Sequence, residues 1–379
     1  MFDYETLRLI WWVILLFLVS GFAVMDGFDL GIGMLLPFLG KTDDERRVML
    51  NAIGPTWEGN QTWLITLGGI SFGAWSLVYA TLFSGLYTGM LILLFGLFLR
   101  PVGFDYRSKL TNARWRSTWD WALFFGGFVP AVVLSLAAGN LMIGLPFKFD
   151  NDFRSHYTGH FLDLFQPFAL LTVIVGVSLF CLHGAVFLHL RTEAILAERA
   201  RRVILWSSLV FLMSFIIAGI WVAIGLDGYR ISSAVDTNAV NNLLAKLVIK
   251  ENGLWMTNYS KYPGLILSPM MAILGTALVL YLSAKRYTGL AFLTSSLVVI
   301  CTILTAAGSM FPFIMPSIIA PSNSLTLWDA SASYYALHLL LFVTVFMMPV
   351  VIGYTIWVYR VMRGKVTVED IENNRNVLY

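Results

Sequence analysis

Residues 9–39 read LIWWVILLFLVSGFAVMDGFDLGIGMLLPFL, and this stretch decides the class of fold. A helix needs roughly 20 apolar residues to cross about 30 Å of hydrocarbon, where every backbone amide must be bonded internally. The run is long enough, yet it carries two acids, Asp26 and Asp29. An ionisable group in lipid costs about 2.5–3.5 kcal/mol, so such residues are functional candidates from the outset.

Working outward, 58% of the 379 residues are hydrophobic and 12% charged, with a mean hydropathy of +0.76. Soluble domains are about 45–50% apolar and about 25% charged. A cytosolic enzyme, a nucleic-acid binder of the basic-patch kind and a disordered scaffold are therefore excluded. Cys181 and Cys301 lie singly in apolar runs, which indicates neither a disulfide framework nor a thiolate metal cage, and the absence of CxxCH excludes covalent c-type haem. The opening MFDYETLR reads as the start of a retained first span rather than a signal peptide.

Charges mark where the chain leaves the lipid. The interval from Glu58 to Arg100 holds two spans with a tight turn near Trp75–Tyr79. Single spans fit Asp120–Lys148, Asp163–Arg191, Arg202–Asp227, Lys261–Lys285 and Asp329–Arg360. After Arg286 one helix runs to about Ala307–Met310, and Pro312, Pro316 and Pro321 then impose an irregular loop. The sequence thus predicts an all-α polytopic membrane protein with nine transmembrane helices and no appended soluble domain. Of the 25 Lys and Arg, 18 fall on the side of the carboxy terminus, which positive-inside bias places in the cytoplasm, leaving the amino terminus outside. Residues 1–379 form one membrane domain, 227–262 an external loop and 362–379 a cytoplasmic tail. Val240, Leu243, Leu244 and Leu247 predict an amphipathic helix in that loop. Thr42-Asp43-Asp44-Glu45 and Thr367-Val368-Glu369-Asp370 predict capped short helices.

Asp26 and Asp29, one turn apart, share a helix face. Glu58 opens the second span, and Arg100 and Asp105 close the third, so four acids and one arginine gather at the inner ends of three helices. One arginine cannot neutralise four acids in a low dielectric, so Asp26, Asp29, Glu58, Arg100 and Asp105 are candidates for a proton pathway. The alternative is a set of locked ion pairs, with Arg100 on Asp105 or Glu58. Gly27, Gly31 and Gly33 predict close helix packing. Trp57 and Trp63 bracket Asn60 and Gln61 and make a candidate quinone site, an aromatic wall beside hydrogen-bonding groups. The other tryptophans, Trp11 and Trp75 among them, read as interfacial belts, and Asp120, Asp163, Asp227 and Asp329 as caps or surface groups. His183, His189 and His338 fall at unmatched depths, and a pairing of the external His160 with His338 rests on no motif, which argues against a self-contained haem site; no metal-ligand cluster is present.

FAVMDGFDLGIGML from Phe22, WEGNQTWLITLGG from Trp57, FPFIMPS from Phe311, SLTLWDAS from Ser324 and the closing NVLY, with the run from Phe98 to Lys109, resemble subunit II of the cytochrome bd-type ubiquinol oxidases along nearly the whole chain. The resemblance implies two four-helix bundles plus a ninth helix in the bacterial inner membrane. It implies a partner subunit I that holds two haems b, a haem d and the quinol-oxidising loop, together with one or two single-helix accessory subunits. It further implies reduction of oxygen to water by quinol electrons, with protons taken from the cytoplasm and released outside. Asp26 or Asp29, Glu58 and Asp105 match positions of the family's proton route, and the Trp57–Trp63 region lies near a ubiquinone held in some members. From the residues alone, a cation-coupled secondary transporter or a purely structural oxidase subunit remain alternatives.

Overall fold

The computed structural model describes residues 2–243 and 245–373. Fourteen α-helices follow one another: α1 Tyr4–Met25, α2 Gly27–Leu39, α3 Asp43–Ile53, α4 Trp57–Ala74, α5 Ser76–Gly85, α6 Tyr87–Arg107 and α7 Ala113–Ile143, then α8 Pro167–Arg191, α9 Ala194–Ile224, α10 Thr257–Lys261, α11 Leu267–Ala284, α12 Thr288–Met310, α13 Tyr334–Val361 and α14 Val368–Asn373. Among the described residues eight spans are long and apolar enough to cross a membrane, with α1 and α2 counted as one. A ninth candidate is the pair α4 and α5, bent by 119°.

The bend replaces the tight turn expected near Trp75–Tyr79. Trp75 leaves helical geometry (φ −136°, ψ 61°) and is fully buried. The chain then makes the extra helix α5 before α6 begins. Trp75 and Trp11 are core residues rather than belt residues, and the indole of Trp11 donates to the Leu337 carbonyl at 3.0 Å. Indoles bury their large apolar surface most readily when their N–H finds an acceptor inside, as that of Trp11 does, whereas Trp75 Nε1 has no partner among the described residues.

Helix α2 lies between α7 and α8, and α8 also packs on α9 and α12. The glycines make this possible. A Cβ at Gly31 would stand 2.0 Å from the Phe180 carbonyl oxygen, and one at Gly33 would stand 3.0 Å from that of Leu123. Helix α13 lies against α1 and α4 at the edge of the bundle, its outer face exposed.

Three antiparallel hairpins cover the end at which α1 begins: β1 Phe147–Phe149 with β2 Ser155–Tyr157, β3 Asp227–Ile231 with β4 Val248–Asn252, and β5 Phe313–Met315 with β6 Leu325–Thr326. The irregular loop expected after Met310 is the third of these. The amphipathic helix expected over Val240–Leu247 is not formed by its described residues, and Leu244 lies outside them. Leu243 is buried, but Val240 and Leu247 are exposed. Arg8 takes the carbonyls of Thr237 and Ala239 at 2.6 and 3.1 Å, and the second is the group that would accept from the first turn of a helix starting at Val240. At the opposite end both predicted caps form. Thr42 and Glu45 make a reciprocal capping box on α3, and Thr367 and Asp370 pair in the same way before α14. The closing NVLY lies outside the described residues.

Candidate functional site

The apolar run of α1 yields to α2 at Asp26, which accepts from the Leu30 amide at 2.9 Å while its own amide donates to Phe22. This local turn presents Asp26 and Asp29 towards α6, where Arg100 is 3% exposed. Arg100 Nη1 donates to Asp26 Oδ2 at 2.9 Å and Nη2 to Oδ1 at 2.6 Å. The expected alternatives for Arg100, pairing with Asp105 or Glu58, are not what forms. A bidentate fork is the strongest arrangement available to guanidinium and carboxylate, and Asp26 provides it inside the bundle.

Asp29 is left with less. Its Oδ2 stands 3.7 Å from Arg100 Nη2 and accepts from Asn60 Nδ2 at 2.7 Å. Its Oδ1 is buried without a hydrogen-bond partner among the described residues. Asn60 is in turn held by Tyr359 of α13, whose hydroxyl donates to Asn60 Oδ1 at 2.8 Å. Trp57 closes the cluster, stacked on Phe104 at 5.1 Å with the Arg100 guanidinium 5.9 Å from its ring centre.

The structure therefore brings together Asp26, Asp29, Arg100, Asn60 and Trp57. Glu58 and Asp105 lie apart on the exposed surface of α4 and α6, and Gln61 is half-buried. Trp63 is buried against Gly21 and Phe17. Trp57 and Trp63 thus face packed neighbours. The largest cavity described, about 600 Å³, takes Leu64 and Leu67 from α4 and Phe22, Phe180, Thr172 and Ser309 from its neighbours, and none of the four quinone candidates lines it.

Sequence reasoning missed Tyr359, which sits nearly 300 positions from Asn60 in the last long apolar helix. It also placed Asp120 at the surface, whereas Asp120 is fully buried. Asp120 accepts from Arg107 Nε at 2.5 Å and from Arg46 Nη1 at 2.6 Å. Arg107 also reaches Asp43 at 2.9 Å, which locks α3, α6 and α7 together. Asp329 is likewise buried, 2.5 Å from Lys246, although it does cap the Thr326 amide. A position next to tryptophans and arginines looks interfacial in sequence; only the fold shows which arginines converge on it.

His183 is not free to ligate a haem iron. His183 is fully buried, with Nε2 3.0 Å from the Val24 carbonyl and Nδ1 2.9 Å from the Ser295 hydroxyl, so both ring nitrogens are engaged. No group of three or more His, Cys, Asp or Glu able to hold a metal ion occurs among the described residues.

A family model described as cytochrome bd terminal oxidase subunit II matches residues 7–362. The chain belongs to that family. This subunit II is 46% identical over 379 residues, the full length of both chains, to cytochrome bd-I ubiquinol oxidase subunit 2 of Escherichia coli strain K12. It is 45% identical, again over both full lengths, to a probable cytochrome oxidase subunit 2 of Haemophilus influenzae. With cytochrome bd ubiquinol oxidase subunit 2 of Bacillus subtilis the identity is 29%, over 94% of this chain and 96% of the other. The bd oxidase structure from Geobacillus thermodenitrificans shares the fold, with a TM-score of 0.71 at 16% identity, covering 94% of this chain and 98% of that one. Subunit II is a multi-pass membrane protein and a member of a haem-containing respiratory oxidoreductase complex with a partner subunit.

Proposed function

We propose that this chain is the subunit of a bacterial inner-membrane quinol oxidase that bears no haem, and that it conducts protons from the cytoplasm towards the site of oxygen reduction. In this reading subunit I carries haems b and d, which supply electron transfer and oxygen reduction, and one or two single-helix subunits complete the complex. The amino terminus is external and the carboxy terminus cytoplasmic, as the Lys and Arg distribution favours. Two four-helix bundles and the additional helix α13 form the scaffold. Proton uptake on one side and release from quinol on the other make the reaction electrogenic.

One observation carries the proton reading: two buried carboxyls share one guanidinium, and Asp29 keeps an oxygen without a donor. A second buried negative charge beside a satisfied ion pair is expensive unless it binds a proton. Glu58 and Asp105, exposed on the flank of α4 and α6, are suited to hand protons across a contact with subunit I. A ubiquinone held in this subunit would fit the cavity of about 600 Å³, whose volume suits a ring and part of an isoprenoid tail and whose α4 lining is Leu64 and Leu67.

Asp29→Asn in the assembled oxidase is the test. Oxygen consumption is expected to fall about a hundredfold or more, the scale of a lost proton-transfer group, with the haem spectrum unchanged. Glu58→Gln is expected to slow turnover in the same way. Full turnover in both variants would leave subunit II a purely structural subunit, and joint loss of all haems would indicate failed assembly instead.

A further inference from the structure

The proton reading of Asp29 leaves open why one of its two oxygens receives every donor. Asn60 Nδ2 and Arg100 both face Oδ2, and Oδ1 has no partner among the described residues. An asparagine amide can turn either end to a neighbour. Its NH2 end suits a carboxylate, whereas its carbonyl end suits a protonated carboxyl. Something must fix the choice.

Tyr359 does this in the present geometry. It projects from the end of α13 between Trp357 and Val361, which are 60% and 58% exposed. Its own ring turns inwards and walls a cavity of about 270 Å³ with Thr56, Arg191, Phe292 and Arg363. Its hydroxyl meets Asn60 Oδ1 at 2.8 Å, so the amide oxygen is held away from Asp29 and the NH2 is held against it.

We infer that Tyr359 is a positioning residue for Asp29: through Asn60 it keeps a donor on Oδ2 and leaves Oδ1 as the oxygen that gains and loses the proton. The step is an O–H bond forming on Oδ1 as the carboxylate becomes a carboxyl, and breaking as the proton moves on; no electrons are exchanged. This rests on the proton reading above, and it extends the site to the last membrane helix, which packs chiefly along α1 and α4.

The experiment uses the complete haem-loaded oxidase with Tyr359→Phe, Asn60→Ala and the double variant, alongside Asp29→Asn. Two readouts are taken: oxygen consumption, and the infrared difference band of a protonated carboxyl that disappears in Asp29→Asn. Tyr359→Phe removes one hydroxyl and is expected to slow turnover about fivefold, the scale of one neutral hydrogen bond, to shift the carboxyl band and to leave the haem spectrum intact. The double variant is expected to be no slower than Asn60→Ala alone, because the two residues act in series. An unshifted band, additive slowing in the double variant, or haem loss in Tyr359→Phe would each overturn the inference. Full turnover in Asp29→Asn would defeat the proton reading instead, and a band shifted by Tyr359→Phe would still uphold the positioning role.

Discussion

Arg100 grips Asp26 through both guanidinium ends, at 2.9 and 2.6 Å, across 74 positions of sequence. The pair joins the turn between α1 and α2 to the middle of α6. It also fixes the electrostatics of its surroundings: the guanidinium edge is taken, and Asp29, 3.7 Å away, meets what remains of its field. A doubly bonded ion pair and a less fully partnered acid thus occupy neighbouring turns of the same chain.

Removing the cation should be far worse than removing one acid. In Arg100→Leu two carboxyls are left buried without compensation, and breaking a buried pair in this way costs about 3–5 kcal/mol. The expected result is loss of the haem-loaded complex on purification. Arg100→Lys keeps the charge but not the fork, so a complex with a lowered thermal midpoint is expected. Recovery of wild-type amounts of Arg100→Leu with an unchanged midpoint would show that the pair contributes little.

Gly31 offers a steric counterpart. Gly31→Ala would place Cβ 2.0 Å from a backbone oxygen of α8, which cannot rotate aside. Overpacking of this kind costs about 1–3 kcal/mol, so the unfolding midpoint should drop clearly. At Gly68 in α4 an added Cβ meets nothing within 4 Å. Gly68→Ala is expected to leave stability of the isolated subunit unchanged or raised by about 0.5–1 kcal/mol, the helix preference of alanine over glycine. Equal effects at the two positions would contradict the packing described for α2 and α8.

These two sites also show how far the sequence could be read. The spans, the shared face of Asp26 and Asp29 and the close approach of the Gly31 helix follow from local rules of hydropathy and periodicity, which hold within one segment. The partner of Arg100 does not. Asp105 is five residues along the same helix and Glu58 stands at the start of a neighbouring one, but selecting Asp26 over either needs the rotation of α6 about its axis, and no local pattern encodes that. Tyr359 was hidden for the same reason, one of several polar rings in a helix that also carries Tyr334, Tyr335, His338 and Tyr354. Asp120 and Trp75 looked interfacial because composition reports the depth of a residue but not whether other helices cover it. The helix expected at Val240–Leu247 does not form, a case of tertiary override in which the Ala239 carbonyl, which would accept from the first turn, bonds Arg8 instead.

The β1–β2 hairpin gives a pH expectation outside the membrane. The His156 ring, 3.0 Å from Asp150 Oδ2, together with the Arg154 and Asp152 amides, holds the Asp150 carboxyl below its usual range. An acid whose folded value is lowered adds stability above its unfolded value of about 3.9 and loses it as pH falls through the lower folded value. Hydrogen exchange at the Arg154 amide should therefore speed up, relative to its intrinsic rate, only as pH drops below about 4. Asp150→Asn should abolish that pH dependence, and its persistence in the variant would assign it to another group.

The loop above α1 depends on one buried cation. Arg8 is fully buried and donates to the Ser331 hydroxyl at 3.0 Å, the Thr237 carbonyl at 2.6 Å, the Ala239 carbonyl at 3.1 Å and Asn241 Oδ1 at 2.6 Å, with the Tyr4 ring centre 3.6 Å from its guanidinium carbon. Arg8→Ala strands these acceptors, and each buried unsatisfied group costs about 1–3 kcal/mol. The segment between β3 and β4 should then open more often, and limited proteolysis within 232–247 should accelerate at least tenfold, since about 1.4 kcal/mol is a factor of ten. Arg8→Lys supplies three donors from a single nitrogen and cannot span all four acceptors, so an intermediate cleavage rate is expected. If cleavage in Arg8→Ala matched the wild type, the loop would have to be held by the Lys246–Asp329 pair beneath it rather than by Arg8.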